Sequence, residues 1–115
     1  MFHLTDTPTF EAEVRFESQA AQGGQRVVHA FTGVFNRLDE DASEALAKEI
    51  RTQKLTDRQV AARLLCGWGA DVCDAQGRPL PFNADNLAAV LRRRGVATAV
   101  VDAWHQAQPR AALGN

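Results

Sequence analysis

Asp71 and Asp74 stand close together among turn-forming residues, and a carboxylate pair is one device for general acid–base work. Such work needs a cleft and a group of shifted pKa beside it, and the neighbouring sequence supplies neither. Asp74 opening the turn Asp74-Ala75-Gln76-Gly77 through an Asx-type hydrogen bond accounts for that residue without catalysis. Cys66 and Cys73 match neither the C-x-x-C of redox and zinc sites nor a disulfide framework. Cys66 reads as a small apolar residue closing a helix, and Cys73 as a loop residue. His3, His29 and His105 are scattered without the spacing of zinc ligands, and His29 reads as a packed or surface strand histidine. No G-x-S-x-G or G-x-x-x-x-G-K-[ST] run is present, and Gly67-Trp68-Gly69 is too short to cradle a phosphate. The expectation is a protein without catalytic, cofactor or metal residues.

Residue types suited to binding are easier to find. Arg92-Arg93-Arg94 is the one basic cluster. It is small for a nucleic-acid patch and lacks interleaved aromatics. Cations at the end of a helix interact favourably with its dipole, which is the simpler reading; contact with an acidic partner or nucleic acid is the other. Trp68 and Trp104 suit interface anchors, since aromatics dominate binding hot spots, and suit core packing equally well. Ala99, Val100, Ala103 and Trp104 lie on one helical stripe that could wall an apolar groove for an amphipathic helix.

The whole chain narrows these choices. Its 115 residues, 45% hydrophobic and 23% charged, suit one modest core and a single domain over 1–115. Thirteen Lys+Arg against fourteen Asp+Glu leave a net charge of −1, so no bulk field draws the protein onto nucleic acid or anionic lipid. The charge is unevenly spread: residues 1–57 hold ten acids and six bases, residues 58–115 four acids and seven bases. Oppositely charged ends suit head-to-tail contacts, so a homo-oligomer stays open, although a solvated mixed surface explains the same pattern. No apolar run is long enough to span a bilayer, and the first residues lack a signal peptide's basic and apolar regions. A cytoplasmic protein is expected.

The elements follow from periodicity. Residues 9–17 alternate Phe10, Ala12, Val14 and Phe16 against Thr9, Glu11, Glu13, Arg15 and Glu17, the pattern of a strand with one buried face. Ser18–Gln25 holds Gly23-Gly24, and Val27–Phe35 is a second strand, apolar on both faces, so 9–35 predicts an antiparallel hairpin. A helical part over 39–108 must cover it, because two strands alone are marginal in water. Asp41-Ala42-Ser43-Glu44 has a capping-box shape ahead of Ala45, Leu46 and Ile50. Thr56-Asp57-Arg58-Gln59 starts a second helix with Val60, Ala61, Leu64 and Leu65, ended by Gly67. An irregular stretch then runs to Phe82. Asn83 caps a third helix with Leu87, Val90 and Leu91, stopped by Gly95; a fourth runs from Val96 until Pro109, before a frayed tail over 109–115. The class is α+β: an N-terminal β-hairpin followed by about four helices.

Gly67-Trp68, Val72-x-Asp74-x-x-Gly77-x-x-Leu80-Pro81-Phe82 and Asn86-Leu87, in that order between Thr56 and Leu91, resemble the tail assembly chaperones of long-tailed bacteriophages and prophages. The strand with Phe31 and Phe35 running into Arg37-Leu38 also fits that family's layout; Asn83 and Asp85 stand where the family favours Ser or Thr and Glu. The shared residues read as scaffold: Trp68 folding back onto the helices, Val72 and Leu80 clamping the turn, Phe82 stapled against Leu87. The resemblance implies a non-enzymatic cytoplasmic protein, absent from the mature virion. It implies a partner in the tape measure protein, and contact with tail tube protein as that polymerises. Nucleic acid is the disfavoured partner, and no membrane role is implied. Two alternatives are a small nucleic-acid-binding regulator using Arg92–Arg94, and a structural tail completion protein. The family is often made in two lengths by a −1 frameshift. Leu113-Gly114-Asn115 admits the slippery heptamer G-GGA-AAC, and a Gly114 codon other than GGA removes it.

Overall fold

The computed structural model describes residues 7–19 and 23–108. Strands β1 (Thr9–Gln19) and β2 (Arg26–Asn36) pair antiparallel with Val14 opposite Phe31 and Phe10 opposite Phe35. Helices α1 (Glu40–Gln53) and α2 (Asp57–Leu64) follow, then a short strand β3 (Leu65–Trp68), and helices α3 (Ala84–Leu91) and α4 (Val96–Ala107). The sheet order is β1-β2-β3, all antiparallel, and the architecture is the α+β hairpin-plus-four-helices expected. The readings of Pro109 as a helix stop and of a frayed 109–115 lie outside the described residues.

The strand alternation translates directly into burial. Val14 is fully buried and Phe31 nearly so, while Glu11, Glu13, Arg15 and Glu17 face outward. Phe35 is fully buried, stacked on Phe10 at 5.5 Å between ring centroids. His29 is half-buried, stacked on Phe16, with its Nε2 2.6 Å from Ser18 Oγ. At the far end of the hairpin Val27 and Val28 stand exposed. On the covered face α4 packs across β1 and against α2. It brings Val96, Val100, Ala103 and Trp104 into one core with Val60, Leu64 and Leu65. The indole Nε1 of Trp104 donates to the carbonyl of Asn36 at 3.2 Å. The Asn36 side-chain amide in turn donates to the carbonyl of Arg63 at 2.9 Å, in the last turn of α2. One residue at the end of β2 thus ties both helices to the sheet.

Four local expectations are corrected. Cys66 and Gly67 do not close α2; the helix ends at Leu64, and both residues stand in β3. Gly67 lies against β2, where an added Cβ would come 3.3 Å from Val34 Cβ, so this glycine permits close strand approach. The cap of α1 is Asp39, whose carboxylate accepts the Ala42 N–H at 2.8 Å, two residues ahead of the predicted box. α3 ends at Leu91 rather than at Gly95; Gly95, at φ 84°, instead makes the left-handed turn into α4. The capping box at Thr56 is as read, with Gln59 N–H on Thr56 Oγ1 and Thr56 N–H on Gln59 Oε1.

α1 sits at the periphery. None of its residues is buried, although Leu46 and Ile50 pack partly against the core. An ion pair from Glu49 to Arg63 joins it to α2. The hydrogen bond from Arg63 holds the Glu49 carboxyl below its ordinary range, so this tie weakens as the pH falls through that lowered value.

Gly33 is the sharpest steric constraint in the sheet. A Cβ there would meet Phe35 Cε2 at 2.8 Å and Leu65 Cδ1 at 3.1 Å, both in fully packed core. Gly33→Ala should therefore lower stability by about 1–3 kcal/mol through overpacking. The check is a urea titration: an earlier midpoint with unchanged slope is expected, and an unchanged midpoint refutes the packing assigned to Phe35.

Candidate functional site

The residues that carry the family resemblance fold into one continuous unit. β3 runs out at Trp68, and the ladder is extended by Gly69 N–H donating to the Thr32 carbonyl at 3.0 Å. Asp71 then closes it: its carboxylate accepts the Thr32 N–H at 2.9 Å and the Thr32 hydroxyl at 3.0 Å. Val72, nearly buried, accepts the Leu80 N–H on its carbonyl at 2.8 Å, and Cys73 bridges to Pro79. Between them Asp74 organises the turn. Its Oδ1 accepts the N–H groups of Gln76 (2.9 Å) and Arg78 (3.0 Å), its Oδ2 accepts Arg78 Nε (3.1 Å), and Gly77 takes φ 79°. This is the Asx geometry read from the sequence. Both carboxylates hold backbone in place, Asp71 that of β2 and Asp74 that of its own turn.

Trp68 closes the unit. Its Nε1 donates to the carbonyl of Leu80 at 2.7 Å, and its ring meets Phe82 edge-to-face at 4.7 Å. The aromatic partner of Phe82 is Trp68, a contact the sequence did not suggest, and Leu87 packs partly against the core. Asn83 caps α3 by accepting the Asn86 N–H at 2.8 Å, and the Asn86 amide donates back to the Pro81 carbonyl at 2.8 Å. Phe82 is 37% exposed and Trp68 half-buried, so the clasp leaves an aromatic edge at the surface.

Other predicted positions fall elsewhere. Val100 is fully buried and Trp104 is 7% exposed, so the two large members of the α4 stripe face the protein's own sheet, while Ala99 and Ala103 border a cleft beside β1. A helical period cannot distinguish a face against the sheet from an open groove wall. Arg92, Arg93 and Arg94 are exposed in the turn between α3 and α4, just past the last helical turn, and make no salt bridge among the described residues. They line one shallow cleft with Arg58 from the first turn of α2; Arg93 and Arg94 border a second with Arg26 of β2. Arg58 and Arg26 carried no signal of this convergence, because only the tertiary fold brings them there. Cys73 is an exposed loop thiol, as read, and half-buried Cys66 lies in β3. Among the described residues no three His, Cys, Asp or Glu side chains converge to hold a metal ion. No helix among them is long and apolar enough to cross a membrane.

If the indole bond clasps the loop, Trp68→Phe should keep the ring contact with Phe82 and lose the tie to Leu80. A loss of about 1 kcal/mol is expected, with faster amide exchange across residues 72–80. Unchanged stability together with unchanged exchange would refute the clasp.

No protein-family model, curated protein or solved structure gave a match to this chain.

Proposed function

We propose that the chain is a non-enzymatic tail assembly chaperone of a long-tailed bacteriophage or prophage. In this reading it holds the tape measure protein in the host cytoplasm until tail tube subunits polymerise around it, and it does not enter the virion. What supports the reading is that the residues of the resemblance act together. Trp68, Val72, Asp74, Gly77, Leu80 and Phe82 build one clasped loop ahead of the Asn83 cap, which gives a physical reason for their order and spacing. The clasp also presents the kind of half-exposed aromatic pair that anchors interfaces. With Val100 and Trp104 consumed by the core, the Trp68–Phe82 edge is the better apolar contact for a long, aggregation-prone helical chain.

A second reading rests on Arg92, Arg93 and Arg94 sharing an exposed cleft with Arg58. Four guanidinium groups on one surface suit the phosphates of a nucleic-acid-binding regulator. A tail completion protein is the third reading, and its mark is presence in purified particles.

Co-expression with a tape measure protein from the same genome separates these readings. The chaperone reading expects a several-fold larger soluble fraction of that partner, reduced by Phe82→Ala, which removes a surface ring rather than core. Equal solubility with and without this chain contradicts it. Binding to generic duplex DNA that weakens steeply with salt would favour the regulator instead.

A further inference from the structure

β1 is an edge strand eleven residues long, and among the described residues no strand pairs with its outer side. The phase of its hydrogen bonding follows from one contact. Arg37 N–H donates to the Pro8 carbonyl at 2.9 Å, so Pro8 and Arg37 form a hydrogen-bonded pair. In an antiparallel ladder such pairs alternate, so the even-numbered residues of β1 spend their backbone groups on β2. Two observations agree with this phase. Thr32, opposite Glu13, turns its N–H and carbonyl toward Asp71 and Gly69, away from β1. Thr9 turns its carbonyl outward to the Thr7 hydroxyl at 2.9 Å. The N–H and C=O groups of Glu11, Glu13, Arg15 and Glu17 therefore point to the open edge.

Beside that edge runs a cleft of about 820 Å³, bounded on one side by Glu13, Arg15 and Glu17 and on the other by α4. Ala99, Asp102 and Gln106 are among its α4 residues; their spacing puts them on one helix face, and Ala99 leaves room for a side chain. From Glu13 to Glu17 the strand offers about 13 Å, and from Ala99 to Gln106 the helix offers about 10 Å, which suits an extended segment of four or five residues. The walls are acidic. Of the lining residues Glu13, Glu17 and Asp102 are acidic and Arg15 alone is basic; Glu13 engages Arg15, and Glu17 pairs at 3.6 Å with Arg26 of β2, outside the cleft. Asp102 has no ion-pair partner among the described residues.

We propose that the β1 edge and α4 form a docking groove for an extended segment of a partner protein whose side chains alternate with Lys or Arg. The segment adds as a fourth strand outside β1. Its backbone bonds to Glu13, Arg15 and Glu17; one face of its side chains lies against α4, and its cations meet the carboxylates. The charges on the strand repel casual apolar or acidic strands and admit a basic one. A second copy of β1 carries the same excess of carboxylates and is the poorer match. The groove is a separate surface from the Trp68–Phe82 clasp and does not depend on the chaperone reading.

The test uses the full chain and a labelled, end-blocked seven-residue peptide alternating Lys with Val. Anisotropy should report saturable binding, and amide chemical shifts should move at Glu13, Arg15 and Glu17. Two peptide controls should bind about tenfold more weakly or worse: one N-methylated at every second residue, and one with Glu replacing Lys. Arg15→Pro removes an outward N–H together with the guanidinium that engages Glu13, and should abolish binding while circular dichroism stays native; Arg15→Ala, which removes the guanidinium and keeps the N–H, should bind the Lys peptide at least as well as the parent chain. Asp102→Lys, on the exposed side of α4, should weaken the Lys peptide and improve the Glu peptide. The proposal is overturned if the N-methylated peptide binds as well as the parent, or if the shifts fall away from β1 and α4. It is overturned equally if the peptide does not bind, or if the edge proves to be closed by a second copy, seen as a concentration-dependent dimer that Arg15→Pro dissolves.

Discussion

Val14, Phe31 and Phe35 lie on one face of a hairpin whose two strands are each eleven residues long, and such a ribbon cannot keep that face from water alone. Covering it is the constraint from which the remaining structure follows. α4 lies across β1 and supplies Val96, Val100 and Trp104; α2 wedges behind it with Val60 and Leu64; β3 adds Leu65 against Phe35. The contact is apolar, and its orientation is set by polar ties at both ends. At one end Asn36 joins the Trp104 indole to the final turn of α2. At the other, Gly95 turns the chain from α3 into α4, and Thr98 donates to the Asp57 carboxylate at 2.8 Å. Burial of a Trp and two Val side chains on this scale outweighs any single surface pair by several kcal/mol.

That economy shapes what is left for a partner. The large apolar side chains of α4 are spent inside, so recognition falls to groups the core does not use. These are the Trp68–Phe82 edge, the arginine turn with Arg58, and the backbone of β1's open side. Each is small, and under the proposed reading they would act together as several modest contacts on an extended or helical chain. The clasped loop stands apart in being locally over-determined: Asp71, Asp74, Trp68 and Asn83 each fix backbone that would otherwise be unpaired.

Much of the fold was legible because local physics and tertiary packing agree. The alternation of 9–17, the Thr56–Gln59 box and the Asn83 cap each fix an element without help from distant residues. β3 was not legible. Leu65-Cys66-Gly67-Trp68 continues α2 with no turn between, and its strand character comes from β2 lying alongside, where Gly33 and Gly67 make room. The site was half legible. The Asp74 turn is local and was read correctly; the Trp68 bond to Leu80 spans the loop, and the gathering of Arg58 with Arg92–Arg94 needs the helices docked. Val100 and Trp104 show the opposite failure, since a stripe at helical spacing reads the same whether it faces a partner or the protein's own sheet.

Residue-resolved hydrogen exchange on the protein alone tests the central claim that α4 seals one face of the sheet while β1 keeps its outer edge open. Protection along β1 should alternate, with Ala12, Val14 and Phe16 slow and Glu13, Arg15 and Glu17 fast. The amides of Val100 to Trp104 should exchange only with global unfolding. Uniform protection along β1, or an α4 that opens before the sheet, would contradict it.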